Sequence, residues 1–320
     1  MTDIARPFPK DLIDLDNFIP EQISRILDEA ENLKEISETR EIKKVPTLRG
    51  KLVVIFFHEN STRTRLSFEV AAKRLSADTV ALSASGSSLS KGESLLDTAK
   101  NIEAMYPDAL VIRHGASGVP SFLAKNLSFP VLNAGDGAHA HPTQALLDML
   151  TIRRAKGRLE GLRVAIIGDI AHSRVARSNM IGLRKMGANV AVAGPPSMLC
   201  PELAETYGVE VHTRPESALE GADAVMMLRI QLERQSGALF PGAREYARVY
   251  GLNRERMKLA KPEAIILHPG PVNQGVELSP DLYEDERSVI MPQVTNGVAV
   301  RMALLYLLIE RPQASDSAAA

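Results

Sequence analysis

Residues 163–194, RVAIIGDIAHSRVARSNMIGLRKMGANVAVAG, decide the fold. An apolar run of strand length, RVAIIG (163–168), leads through a polar turn into a segment of helical spacing. A second apolar run, NVAVAG (189–194), follows. Short apolar runs bounded by turns suit strands buried on both faces, and a helix between two of them makes the crossover of a parallel sheet. Downstream, VEVHT (209–213), DAVMML (223–228) and AIILH (264–268) read as further strands, with helical stretches separating the first four. Residues 231–262 form a longer, charged insertion, and a final helix is expected over about 297–310.

Upstream the alternation is less regular. Ile23, Ile26, Leu27, Ala30 and Leu33 stand at helical spacing within 21–37. LVVIFF (52–57) reads as a strand, RLSFEVAAKRL (65–75) as a helix and ALVIR (109–113) as a strand, with another strand ending near Val131. GSSLSKGE (86–93) has no periodicity and reads as a mobile loop. The expected fold is α/β with two domains, each a parallel sheet flanked by helices, and an active site in the cleft between them. The joints are expected at a helix near 142–155 and at the last helix. This assigns residues 1–142 plus 296–320 to one domain and 143–295 to the other.

Composition narrows the function. With 38 basic and 39 acidic residues the net charge is −1, which argues against a broad nucleic-acid surface but permits a local basic pocket. One cysteine among 320 residues excludes an intrachain disulfide and a Cys-rich metal site. No apolar run approaches the ~20 residues of a membrane helix. The opening MTDIARPFPKDLIDL lacks a basic-then-apolar signal pattern. A cytoplasmic protein is expected, with no membrane and no nucleic-acid partner.

In open parallel sheets ligands bind beyond the carboxyl ends of strands. After LVVIFF come His58, Glu59, Asn60 and then Ser61-Thr62-Arg63-Thr64-Arg65, entering a helix. The helix N-terminus, two hydroxyls and a guanidinium could cradle a phosphate; a capped helix with solvated arginines is the other reading. His141-Pro142-Thr143-Gln144 opens another helix, with His141 and Gln144 on one face. Together they could polarise a carbonyl and orient an amide, or His141 could be only a cap. Gly168 is the sole glycine of its turn, so the dinucleotide pattern is absent. Arg174 begins the next helix, Arg229 and Gln231 follow DAVMML, and Pro269-Gly270-Pro271 forms a rigid turn after AIILH. Arg63, Arg113, Arg174 and Arg229 all stand just past strand ends, which suits substrates with several negative charges. Neither a metal motif nor a nucleotide motif is present, so cofactor-free electrostatic chemistry is expected.

The Ser61–Arg65 and His141–Gln144 segments, taken in order with GDIAHSRVARSN, Leu228-Arg229-Ile230-Gln231 and His268-Pro269-Gly270-Pro271, resemble the carbamoyltransferase family over almost the whole chain. The second-half motifs resemble its aspartate branch; the ornithine branch typically carries a cysteine in the last turn, which this chain lacks. The resemblance implies transfer of a carbamoyl group from carbamoyl phosphate to L-aspartate, in pyrimidine synthesis. It makes 1–142 plus 296–320 the carbamoyl-phosphate-binding domain and 143–295 the aspartate-binding domain.

By the same resemblance, Ser61, Thr62, Arg63 and Thr64 hold the phosphate, Arg113 contacts phosphate and carbonyl, and Thr64, Arg113 and His141 polarise the carbonyl. Gln144 holds the carbamoyl NH2, the carbonyls of Pro269 and Gly270 orient the amine, and the bond before Pro271 is cis. Arg174 and Arg229 clamp the aspartate carboxylates with Gln231 assisting. Ser87 and Lys91 match a loop that enters the neighbouring subunit's site, touching carbamoyl phosphate and, for Lys91, aspartate. A homotrimer with shared sites is therefore implied, and association with dihydroorotase or regulatory chains is left open. No cofactor or metal is implied. The alternatives are a carbamoyltransferase for another amine such as ornithine, or a non-catalytic scaffold. Glu59 reads either as a partner for an arginine across the domain cleft, favouring closure, or as a surface charge, and no role is assigned to Gln274.

Overall fold

A computed structural model describes residues 8–59, 61–83, 93–200, 202–230 and 242–310. The chain divides into two units, residues 1–137 with 298–320 and residues 138–297.

In the first unit, helix α1 (Pro20–Thr39) precedes β1 (Leu52–Phe57), α2 (Thr62–Arg74), β2 (Asp78–Ser83), α3 (Leu95–Glu103), β3 (Ala109–His114), α4 (Val119–Asn126) and β4 (Val131–Asp136). The four strands are parallel in the order β2-β1-β3-β4. Val54, Phe56, Leu110, Ile112 and Val131 bury one face against Ile102, Leu123 and Leu127. This face is what the apolar runs encode. The strand expected to end near Val131 instead begins there. Its polar residues Asn133 and Asp136 are fully buried because they satisfy each other, Asn133 Nδ2 donating to Asp136 Oδ1 at 2.8 Å.

The second unit runs α5 (Pro142–Lys156), β5 (Arg163–Ile167), α6 (Arg174–Lys185), β6 (Asn189–Ala193), α7 (Leu203–Tyr207), β7 (Glu210–His212), α8 (Pro215–Leu219) and β8 (Ala224–Met227). It continues with α9 (Ala243–Tyr250), α10 (Arg254–Met257), β9 (Ile265–Leu267) and α11 (Pro280–Tyr283). Its strands are parallel in the order β7-β6-β5-β8-β9. One face of this sheet, including Ala165, Ile167, Val225, Met227 and Ile266, packs on Leu219, Met257, Leu278 and Leu282. The described part of the charged insertion carries α9 and α10.

The last helix, α12 (Ile290–Ile309), starts seven residues before the expected 297 and contains the boundary between the units. By length and composition it could cross a membrane, contrary to the sequence expectation, but it is mostly buried in the protein, as a core helix is. Arg301 lies over the Phe68 ring at 5.1 Å and donates to Ser67 Oγ at 2.9 Å. A buried guanidinium is tolerable only with such partners.

Candidate active site

In the first unit the residues follow two adjacent strands. Phe57 of β1 is in register with Arg113 of β3, and the His58 N–H donates to the Arg113 carbonyl at 2.9 Å. The carboxyl ends of β1 and β3 are thereby tied together, backbone to backbone. Ser61 is the N-cap of α2 but makes no side-chain cap bond, so its hydroxyl is not spent on the helix. The first-turn N–H groups have no intrahelical acceptor, and the dipole there favours an anion. Thr62 and Arg63 are exposed at this turn, whereas Thr64 is buried. Arg65 pairs with Glu69 along the helix at 2.9 Å.

Arg113 lies inside β3 rather than past its end, at a break in register between Ile112 and His114. There its Nη1 donates to the Ala134 carbonyl at 3.3 Å and its Nε stands 3.2 Å from Glu59 Oε2. The guanidinium is held on two sides before any ligand binds. His58 and His114 stack at 4.4 Å. Burial, and then the neighbouring His58, hold His114 below the usual histidine range.

The second unit gathers its residues at the carboxyl ends of β5, β8 and β9, which are neighbours in the sheet. Ser173 caps α6 by accepting from the Ala176 N–H at 3.1 Å, and Arg174 opens that helix, almost fully buried. Gly168 and Gly194 serve a close backbone approach. A Cβ on Gly194 would sit 2.3 Å from the Gly168 carbonyl oxygen, and one on Gly168 would sit 2.8 Å from Leu228 Cβ. Gly168 is therefore explained by packing beside the Arg229 turn. At β9 the Gly270–Pro271 bond is cis.

His141 occupies the N-cap position of α5, but its ring does not cap the helix. Its N–H donates to Ser178 Oγ at 2.8 Å, anchoring α5 to α6. The Thr143 hydroxyl lies 3.5 Å from His141 Nδ1. Gln144 donates from Nε2 to Asp148 Oδ1 at 2.9 Å.

Asp148 is a feature that motif reading does not single out. It is fully buried and also accepts from Gln293 Nε2 at 2.7 Å and Asn179 Nδ2 at 2.8 Å. Gln293 Oε1 accepts the His268 N–H at 2.9 Å; His268 Nδ1 accepts the Gly270 N–H at 2.8 Å; and His268 Nε2 meets Glu277 Oε1 at 3.2 Å. The one local signal is the four-residue spacing of Gln144 and Asp148, which suits a Gln–Asp hydrogen bond on a helix. Ser87, Lys91 and Gln231 lie outside the described residues.

Each unit thus presents an arginine in the first turn of a helix, Arg63 on α2 and Arg174 on α6, where an anion can bind. The second unit adds His141 and Gln144, which can polarise a carbonyl and orient an amide. Residues 10–154 match the carbamoyl-P binding domain of the aspartate/ornithine carbamoyltransferases, and residues 160–308 match their Asp/Orn binding domain. The chain is 58% identical over 300 residues to the aspartate carbamoyltransferase catalytic subunit of Desulfosudis oleivorans, covering 94% of this chain and 96% of that protein. It is 60% identical over 297 residues to the corresponding subunit of Geobacter sulfurreducens, covering 93% and 95%. Among solved structures, ornithine carbamoyltransferase from Pyrococcus furiosus matches with a TM-score of 0.85 at 30% identity, over 95% of this chain and 98% of that one. Aspartate transcarbamoylase from Trypanosoma cruzi, in complex with carbamoyl phosphate and aspartate, matches with a TM-score of 0.82 at 30% identity, over 95% and 97%. With both domain types matched in order across nearly its full length, the chain belongs to the aspartate/ornithine carbamoyltransferase family.

Proposed function

We propose that this chain is an aspartate carbamoyltransferase catalytic chain. It transfers the carbamoyl group of carbamoyl phosphate to the amine of L-aspartate, giving N-carbamoyl-L-aspartate and phosphate for pyrimidine synthesis. The observation that carries the reading is the near-full-length identity of 58% and 60% to catalytic subunits of that name. Fold likeness does not choose the acceptor, since an ornithine enzyme and an aspartate enzyme match with TM-scores of 0.85 and 0.82. Arg174 and Arg229 suit a dicarboxylate, and the turn after β9 has no cysteine.

In the reaction, the free amine of aspartate bonds to the carbamoyl carbon. The oxyanion so formed collapses, the bond from carbon to the phosphate oxygen breaks, and phosphate leaves with the electron pair and takes the amine proton. Ser61, Thr62, Arg63 and Thr64 hold the phosphate through the α2 N-terminus. Thr64, Arg113 and His141 stabilise the oxyanion, a role worth ~3–4 kcal/mol for one preorganised donor. Gln144 accepts from the carbamoyl NH2, the Pro269 and Gly270 carbonyls orient the amine, and Arg174, Arg229 and Gln231 bind the carboxylates. Lys91 and Ser87 complete a neighbouring subunit's site in a homotrimer. The same proposal places the protein in the cytoplasm, where exposed Cys200 stays reduced.

Steady-state turnover of carbamoyl phosphate with L-aspartate or L-ornithine on the purified chain tests the proposal. Product with aspartate alone is expected; product with ornithine alone, or with neither, overturns it. Mixing inactive Lys91→Ala and Arg113→Ala chains restores part of the activity if sites are shared, and none if they are not.

A further inference from the structure

We propose that Asp148 is a positioning residue that presents the Gln144 amide oxygen to the carbamoyl NH2 and ties the Pro269–Gly270 turn to the same anchor. The inference rests on the carbamoyl-transfer reading above.

An ionised carboxylate only accepts hydrogen bonds, and one buried without donors is costly. Asp148 is 0% exposed and receives two amide donors on Oδ1, Gln144 Nε2 at 2.9 Å and Gln293 Nε2 at 2.7 Å. Asn179 Nδ2 donates to Oδ2 at 2.8 Å. Each glutamine must therefore turn its NH2 toward Asp148 and its oxygen away.

For Gln293 the consequence is visible, because its Oε1 accepts the His268 N–H at 2.9 Å. His268 Nδ1 then accepts the Gly270 N–H at 2.8 Å, so its ring proton resides on Nε2 and faces Glu277 Oε1 at 3.2 Å. Glu277 Oε1 also accepts the Asn273 N–H at 2.6 Å, closing the turn. For Gln144 the same logic leaves Oε1 as an acceptor, which a carbamoyl NH2 requires; the reversed amide would oppose a donor to a donor. One carboxylate thus fixes the amide and, through Gln293 and His268, the turn whose carbonyls are proposed above to orient the attacking amine. The competing role is a plain staple joining α5, α6 and α12.

Gln144→Glu separates the two roles while leaving Asp148 in place. With both carboxylates ionised, the introduced side chain cannot donate to Asp148 and the pair repels. With one shared proton, the hydroxyl of the introduced carboxylic acid donates to Asp148 and its carbonyl oxygen faces the substrate, as the Gln144 oxygen does. Carbamoyl phosphate affinity and kcat/KM of Q144E are expected at least 100-fold below wild type at pH 8.5, recovering at least tenfold relative to wild type at pH 6. The Kd of inorganic phosphate, which does not use Gln144, stays within twofold at both pH values. A Q144E profile parallel to wild type overturns the inference. Asp148→Leu is expected to lower kcat/KM at least 30-fold in the otherwise native chain and less than tenfold when added to Gln144→Ala, the remaining loss being that of the Pro269–Gly270 turn's anchor through Gln293 and His268; full additivity overturns the inference. If Asp148→Leu does not fold, the Q144E profile decides. Calorimetric binding of carbamoyl phosphate reads the inference without turnover, whereas wild-type turnover with aspartate reads the underlying function.

Discussion

Gly168→Ala tests whether the proposed aspartate-binding end of the second unit depends on a close backbone approach. Gly168 has φ +143°, a conformation L side chains rarely adopt. An added Cβ would lie 2.8 Å from Leu228 Cβ and 3.2 Å from the Leu228 carbonyl oxygen. Neither atom is a flexible side-chain end, so the backbone of one strand end must move. Strain at such a dihedral costs ~1–3 kcal/mol and overpacking a full core ~1–3 kcal/mol. The expected loss is therefore about 2–6 kcal/mol. At roughly 2–4 °C per kcal/mol for a unit of this size, Tm falls by at least about 4 °C. The displaced residue precedes Arg229, and a shift of ~1 Å in a substrate-orienting group costs on the order of 100-fold. Thermal unfolding by circular dichroism, aspartate kinetics and calorimetry with inorganic phosphate read the outcome. KM for aspartate is expected to rise at least tenfold while the phosphate Kd stays within twofold, because Ser61, Thr62 and Arg63 belong to the other unit. A Tm within 2 °C of wild type together with an unchanged aspartate KM would refute the reasoning.

Arg229→Lys replaces a planar fork by a point charge, so KM for aspartate should rise ~10–100-fold with carbamoyl phosphate binding unaltered; equal loss of both would count against a carboxylate-binding role. Glu210 is held at about 2, chiefly by hydrogen bonds from Arg163, whose Nη1 and Nη2 approach its oxygens at 2.7 Å. A depressed carboxylate contributes stability above its unfolded value of about 4.5 and loses it as pH falls toward 2. The pair is half-exposed, so Glu210→Gln should cost at most about 1 kcal/mol at pH 7, and the difference should vanish near pH 2 in acid-unfolding curves. His114 should titrate below 6.5 by NMR, because burial and then His58 disfavour its cation; its contribution to stability is lost as pH falls below that value. In His58→Phe the midpoint should move up, and an unmoved midpoint would remove His58 as a cause.

What can be read in the chain, and what cannot, follows from where each residue finds its partners. Strand β1 coincides with LVVIFF, and β5 with RVAIIG to within one residue, because strands buried on both faces write their burial into a contiguous apolar run. Strand β2 does not, since Asp78, Val80 and Ala81 are exposed at the sheet edge. Strand β4 lies later than its apolar residues suggest because Asn133, Gly135 and Asp136 spell a turn; only the buried Asn133–Asp136 pair makes them a strand. The site divides in the same way. Arg63, Arg174, Arg229 and the Pro269–Gly270 turn follow strands at short offsets, so their chemistry is local in sequence. Gln293 stands 145 residues from the carboxylate it meets, and Asn179 stands 31 away. Asp148 alone reads as an ordinary charge on a helix. The groups proposed to touch a ligand cluster after strands and at helix starts, where sequence order announces them. Groups that aim them need only one another, and a buried donor finds its acceptor by tertiary contact alone. The orientation of Gln144 is therefore a property of the folded second unit, set by residues on α5, α6 and α12 together.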